Sequence, residues 1–379
     1  MTRHYLDHNA TAPLRPEVID AVADEMRYDG NSLSVHEEGR RARKIVEDAR
    51  EALRALVNAP VNGVIFTSGG TESIHYALHG AMDPHNIKRI FVSALEHAAV
   101  PANAAITGAV IEMIPALASG LVDLAWLRDR LADYSLERDG SFLVCLMFAN
   151  NETGVIQPVR EAADIVHNAG GLLFCDAAQA AGKIPVNFVM SGADMMAVTG
   201  HKFGGPIGVG ALIAGPNLPL EPIFRGGGHE ENRRAGTHNV PAIAGLGVAC
   251  KMAGESLARA DEIAALRDKM QAAAVAAGAT AWGAVEARLP GTLCLSAPGF
   301  SRETQMMAMD LAGVAISGGT ACSSGKSKPS ATLLAMGASE DQASNAIRVS
   351  LGWNSTEDDA EAFIREWPKA YDRIKARAA

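Results

Sequence analysis

No two of the five cysteines, at positions 145, 175, 250, 294 and 322, form a CxxC pair, and their number is odd. That excludes a zinc ribbon or a disulfide framework and suits a chain kept in a reducing cytosol. Basic residues are also short: 34 Lys and Arg stand against 43 Asp and Glu, a formal net charge of -9. A nucleic-acid binder or a protein held on acidic lipid needs a basic face, so both classes are excluded. Long apolar runs are missing too. The longest notable charge-free stretch, 203–220, holds five glycines and three prolines and reads as strand and turns, with no membrane span. The opening "MTRHYLDHNATAPL" carries no apolar core of a secretion signal, so a cytoplasmic protein is expected.

What is present is an ordinary globular balance, 48% hydrophobic and 20% charged, over 379 residues. Short apolar runs alternate with helix-length amphipathic segments. "GVIFTSGG" (63–70), "RIFVSALEH" (89–97), "FLVCLMFANN" (142–151) and "GLLFCDAAQ" (171–179) each read as a buried strand running into a polar turn. Helices are expected over 42–57, 123–134 and 158–169 between them. This alternation predicts a mostly parallel sheet covered on both faces, with ligands at the carboxyl ends of its strands. From about residue 257 the pattern changes to a long charged helix, roughly 255–276, then short strands and helices. The expected division is a large domain over 16–256 and a smaller α/β domain made of 1–15 and 257–379.

Three stretches carry chemistry. In "TSGGTES" (67–73), glycines and a threonine open a helix after a strand. Free N–H groups and the helix dipole there attract an anion, although a plain strand-to-helix turn has the same letters. In "FCDAAQAAGK" (174–183), Asp176 ends an apolar strand, where a carboxylate needs a cation or caps the next turn. In "TGHKFGGP" (199–206), Lys202 lies in a glycine turn beside an apolar run. That suits a Schiff-base lysine, and it also suits a loop lysine. A phosphate cradle, a carboxylate for a ring nitrogen and an amine for a carbonyl together make the set that pyridoxal phosphate requires.

The chain resembles the cysteine desulfurases, the kind that includes NifS and IscS, within the aspartate-aminotransferase fold type. The likeness runs in order through "YLDHNATAP" (5–13), "TSGGTES", "EHAAV" (96–100), "NNETGVIQP" (150–158), "DAAQAAGKIP" (176–185), "TGHKFGGPIGVGAL" (199–212), "RGGGHEENRRAGTHNV" (225–240), "GGTACSSG" (318–325) and "IRVSLG" (347–352). The resemblance implies a PLP-dependent transferase fold in which Lys202 carries the cofactor and Asp176 pairs with its ring nitrogen. It places Gln179 and Asn151 at the phenolic oxygen or its surroundings, and His97 on the ring face. Gly70, Thr71, Thr199 and His201 would hold the phosphate, joined by Thr237 from the neighbouring subunit of a homodimer. Arg348 would bind the substrate carboxylate, and Asn31 would stand at the substrate mouth. Departures from the family pattern include Ser32, Ile207, Thr199 and the "HEENRR" run.

The implied reaction converts L-cysteine to L-alanine. Cys322 takes the sulfur as a persulfide and passes it to an acceptor or scaffold protein for iron–sulfur cluster or thio-cofactor assembly. Cys322 sits among small, polar and glycine residues that cannot bury it, unlike the other four cysteines, so the segment about 320–330 is expected to be mobile. Selenocysteine lyase or aminotransferase chemistry is the enzymatic alternative, and a catalytically silent scaffold is the non-enzymatic one. His75 and His79 have i, i+4 ligand spacing without a third ligand, so no metal is expected. The basic run at 39–50 reads as one face of a solvated amphipathic helix.

Overall fold

The computed structural model describes residues 3–319 and 328–378. Its centre is a seven-stranded sheet in the order Val64–Thr67, Gly210–Ala214, Met195–Thr199, Leu172–Asp176, Ser141–Cys145, Ile87–Ser93 and Val110–Ile114. All strands run in one direction except Gly210–Ala214, which is antiparallel to both neighbours. The four expected strands are there. Side chains alternate faces along a strand, and both faces are covered, which is why these strands read as unbroken apolar runs. Phe142 and Val144 enter one core while Leu143 and Cys145 enter the other.

The basic run lies on the helix Glu37–Val57, which buries Ala42, Val46, Ala49, Leu53 and Val57 along one stripe. That stripe packs on the helix Val240–Ala258. The two approach so closely at Gly247 that an added Cβ would stand 2.9 Å from the Ala49 Cα.

A second core gathers Leu6 with residues between Ile263 and Tyr371, including Phe300, Phe363 and Trp367. Its framework is an antiparallel sheet of Thr280–Trp282, Thr292–Ser296 and Ile347–Ser350, and a parallel pair, His4–Tyr5 with Val314–Ala315. The N-terminal segment therefore crosses from this core to the large sheet, and it brings Asp7 and Asn9 between them.

One expectation is corrected. The charged helix expected over 255–276 is two helices, Val240–Ala258 and Ala260–Ala276. At the break, the Arg259 guanidinium donates to the carbonyls of Trp353 and Ser355, and Asp261 and Glu262 favour a new helix start. Most of the 320–330 stretch, including Cys322, lies outside the described residues. Its far end is held: Ser330 is fully buried, its hydroxyl donates to Glu152 at 2.7 Å, and it caps the helix Ala331–Ala335.

Candidate active site

The carboxyl ends of the parallel strands open into a cavity of about 240 Å³. Nine of the residues named from sequence line it. Gly70, Thr71, Thr199 and His201 form one wall, His97 and Asn151 another, and Asp176, Gln179 and Lys202 complete it. The first wall follows from the strand Val64–Thr67 turning into the helix Gly70–His85. The turn needs Gly69 at φ +150°, a conformation that side chains disfavour. Among the described residues no side chain caps this helix, so its first N–H groups are offered to the cavity. Thr199 Oγ1 and His201 Nδ1 share a 2.9 Å hydrogen bond across from it. Burial and the nearby Lys202 and Lys183 push His201 down to about 4, so its imidazole is neutral at ordinary pH.

Asp176 is buried at the end of its strand. Its Oδ1 accepts from the Ala178 N–H at 2.9 Å. Burial raises its pKa above the usual carboxylate range, while that hydrogen bond, His97 and Lys202 pull the other way. Such a carboxylate is settled by a cation in the cavity. Lys202 follows the strand Met195–Thr199 in a single tight turn, and its Nζ donates to the carbonyls of Asn9 and Ala10, each at 2.8 Å. Burial, with Arg348 adding to it, pushes this amine down to about 8. It is therefore poised to react with a carbonyl near neutral pH.

Arg348 lies on the strand Ile347–Ser350. One Nη donates to the Asn151 carbonyl at 3.1 Å and the other to Asp7 Oδ1 at 2.8 Å. Among the described residues its buried Nε has no hydrogen-bond partner. Asn31 and Thr237 do not line the cavity. Both are exposed, and their sequence neighbours are joined, Ser32 Oγ bonding His238 Nδ1 at 2.8 Å. Cys322 lies outside the described residues.

The sequence reading missed four buried or part-buried groups: Asp7, Asn9, Glu96 and Lys183. Asn9 is the hub. Its carbonyl accepts from Lys202 and from Gln179 Nε2, its N–H meets Ser350, and its side chain meets Thr292, Asn151 and Lys183. Glu96 accepts the Met147 N–H, and burial beside Asp176 holds its carboxyl well above the usual range. The available signal was that all four lie inside "YLDHNATAP", "EHAAV" and "DAAQAAGKIP". Among the described residues no three metal-ligating side chains converge. His75 and His79 stack with ring centroids 4.1 Å apart. Among the described residues no helix is long and apolar enough to cross a membrane.

An uncapped helix terminus, a desolvated lysine and a buried carboxylate around one cavity fit pyridoxal phosphate group by group. With this sheet they define an enzyme of the aspartate-aminotransferase fold type. The family model Aminotransferase class-V matches residues 4–363, and the chain belongs to that family, whose members use pyridoxal phosphate. It is 36% identical over 388 aligned positions to an IscS-like cysteine desulfurase of Mycobacterium tuberculosis, covering 99% of this chain and 98% of the relative. It is also 36% identical to a cysteine desulfurase of Cereibacter sphaeroides, covering 99% and 97%. Among solved structures, a NifS-like protein from Rickettsia africae superposes with a TM-score of 0.89 at 30% identity, over 98% of this chain and 99% of that one.

Proposed function

We propose that the protein is a cysteine desulfurase that converts L-cysteine to L-alanine and carries the released sulfur as a persulfide on Cys322. The observation that carries this reading is the convergence of Lys202, Asp176, His97 and the uncapped helix terminus on one cavity, with Arg348 beside it. The full-length likeness to cysteine desulfurases supports it.

In this reading Lys202 holds the cofactor. Asp176 would pair with its ring nitrogen, and Gly70, Thr71, Thr199 and His201 would hold its phosphate. The bound cofactor supplies an electron sink for the pair left when a Cα–H bond breaks. The protein residues do the rest. Arg348 orients the substrate through its carboxylate, with Nε and one Nη arranged as a fork. Lys202 would take and return the Cα proton; an amine titrating near 8 is suited to both. The Cys322 thiolate attacks the substrate sulfur. A sulfur–sulfur bond forms as the carbon–sulfur bond breaks, and the carbon keeps the electron pair and gains a proton on the way to alanine.

Several finer points belong to the same proposal. The protein is a homodimer in which Thr237 reaches the partner's phosphate site and Asn31 the mouth of the site. This accounts for their exposure away from the cavity of their own chain. The chain divides functionally into 16–256 and 1–15 with 257–379. The protein acts in the cytoplasm and hands sulfur to an iron–sulfur scaffold or another acceptor protein. Four unbridged buried cysteines are compatible with a reducing compartment.

The test is purified protein with the cofactor, L-cysteine and a reductant. Sulfide and alanine are expected in equal amounts. A 2-oxo acid in place of alanine indicates the aminotransferase alternative, and no product at all indicates the silent scaffold.

A further inference from the structure

Lys183 is a buried amine that none of the proposed steps uses. Its Nζ stands 2.7 Å from Gln179 Oε1 and 2.8 Å from Asn9 Oδ1. No carboxylate is bonded to it among the described residues. The charged groups it feels most are Lys202, Arg348 and Asp7, and it in turn acts on His8 and His201. A buried amine satisfied by two neutral amides contributes little stability that a well-packed apolar residue could not match. What it does supply is direction. Burial, with Lys202 and Arg348 adding to it, pushes the amine well below the usual lysine range, yet its Nζ donates to both amides, so the amide atoms that meet it are the oxygens.

Both amides are then fixed at their other ends. Gln179 Nε2 must turn to the Asn9 carbonyl, 2.9 Å away. Asn9 Nδ2 must turn to Thr292 Oγ1 at 2.9 Å and to the Asn151 carbonyl at 3.3 Å. Reversing Gln179 would take its oxygen away from the Lys183 N–H and set it against the Asn9 carbonyl, two acceptors facing each other in a buried place. Gln179 also lines the cavity. With one N–H spent on Asn9, its second N–H is left for whatever occupies that cavity.

We propose that Lys183 is a positioning residue that fixes which way the Gln179 and Asn9 amides face, so that the protein offers the cofactor's phenolic oxygen a donor and never a carbonyl lone pair. This rests on the cofactor reading given above. A donor on that oxygen favours its anionic form. It therefore lowers the pH at which the visible band of the lysine-bound cofactor gives way to the higher-pH form.

The experiment is a spectrophotometric pH titration of the cofactor-loaded protein without substrate, arranged as a double-mutant cycle. In the native background, Lys183→Gln is expected to raise the midpoint by about one pH unit. In a Gln179→Leu background, where there is no amide to orient, the same change is expected to move it no further. Lys183→Met, of similar volume, is carried in parallel, so that loss of folding in one variant still leaves a result. Two outcomes overturn the proposal: an unchanged midpoint, or an equal shift in both backgrounds, which would make Lys183 a plain charge effect. A wild-type protein that shows no visible band with pyridoxal phosphate would overturn the cofactor reading and this inference together.

Discussion

Arg348 and Asp7, 341 positions apart, meet through a 2.8 Å ion pair at the boundary between the large sheet and the second core. The pair holds the guanidinium in place, and among the described residues the buried Nε has no partner. Lysine cannot copy a two-pronged grip on a carboxylate. Arg348→Lys is therefore expected to raise the KM for L-cysteine by about 10- to 100-fold, the worth of one charge-assisted hydrogen bond. The absorbance of the bound cofactor should not change. Steady-state kinetics with a spectrum of each preparation checks both halves.

Lys202 is expected to make the loaded protein yellow, and Lys202→Ala should remove the band of the lysine-bound cofactor. The pH dependence of cofactor uptake follows from the depressed pKa of this amine, about 8 in the folded protein. The neutral amine is the nucleophile, so uptake speeds up as pH rises through 8 and levels off above it. At pH 7 the rate should be about a tenth of the plateau. Stopped-flow absorbance of the cofactor-free protein measures this, and a rate that falls with pH would contradict it.

The parallel sheet could be read from sequence because both of its faces are buried: Leu143 and Cys145 are as apolar as Phe142 and Val144, and the run announces the strand. The cavity residues could be read because each lies in a short motif just past a strand end. The helix break at Arg259 could not, since its partners Trp353 and Ser355 are about a hundred positions away. Lys183 was hidden for the same reason. Within "DAAQAAGKIP" it looks like a surface lysine, and only Asn9, 174 positions distant, reveals what it bonds. The pairing of Ser32 with His238 also spans the chain, and nothing local in either segment announces it.

Glu230 is the buried anchor of the arm that carries Thr237. Its side chain accepts from both ends of the Arg50 guanidinium at 2.8 Å, from His238 at 2.7 Å and from the Phe66 N–H at 2.9 Å. These partners outweigh burial and bring its pKa down to about 2. The folded value lies below the unfolded one, so its stabilisation is complete above the unfolded pKa and is lost as pH falls from about 4.5 towards 2. Glu230→Ala breaks this buried pair, leaving Arg50 with Glu47 and the Val64 carbonyl, and should cost about 3 kcal/mol. Thermal melts of wild type and variant at pH 7 check the cost.

Thr237 is expected to act across a subunit boundary. Sedimentation or light scattering should find a dimer, and Thr237→Val should weaken cofactor retention without dissociating it. A fully active monomer would contradict this part of the reading.

The most direct test concerns Cys322, the one cysteine set in sequence among small, polar and glycine residues. The cofactor-loaded protein is exposed briefly to L-cysteine without reductant and analysed by peptide mass spectrometry, with Cys322→Ala treated alongside. The account predicts one added sulfur atom on the peptide that holds Cys322 and on no other cysteine peptide. It also predicts that Cys322→Ala keeps the visible band and binds cysteine but releases no sulfide. An adduct confined to Cys145, Cys175, Cys250 or Cys294, or full sulfide release by Cys322→Ala, would contradict it.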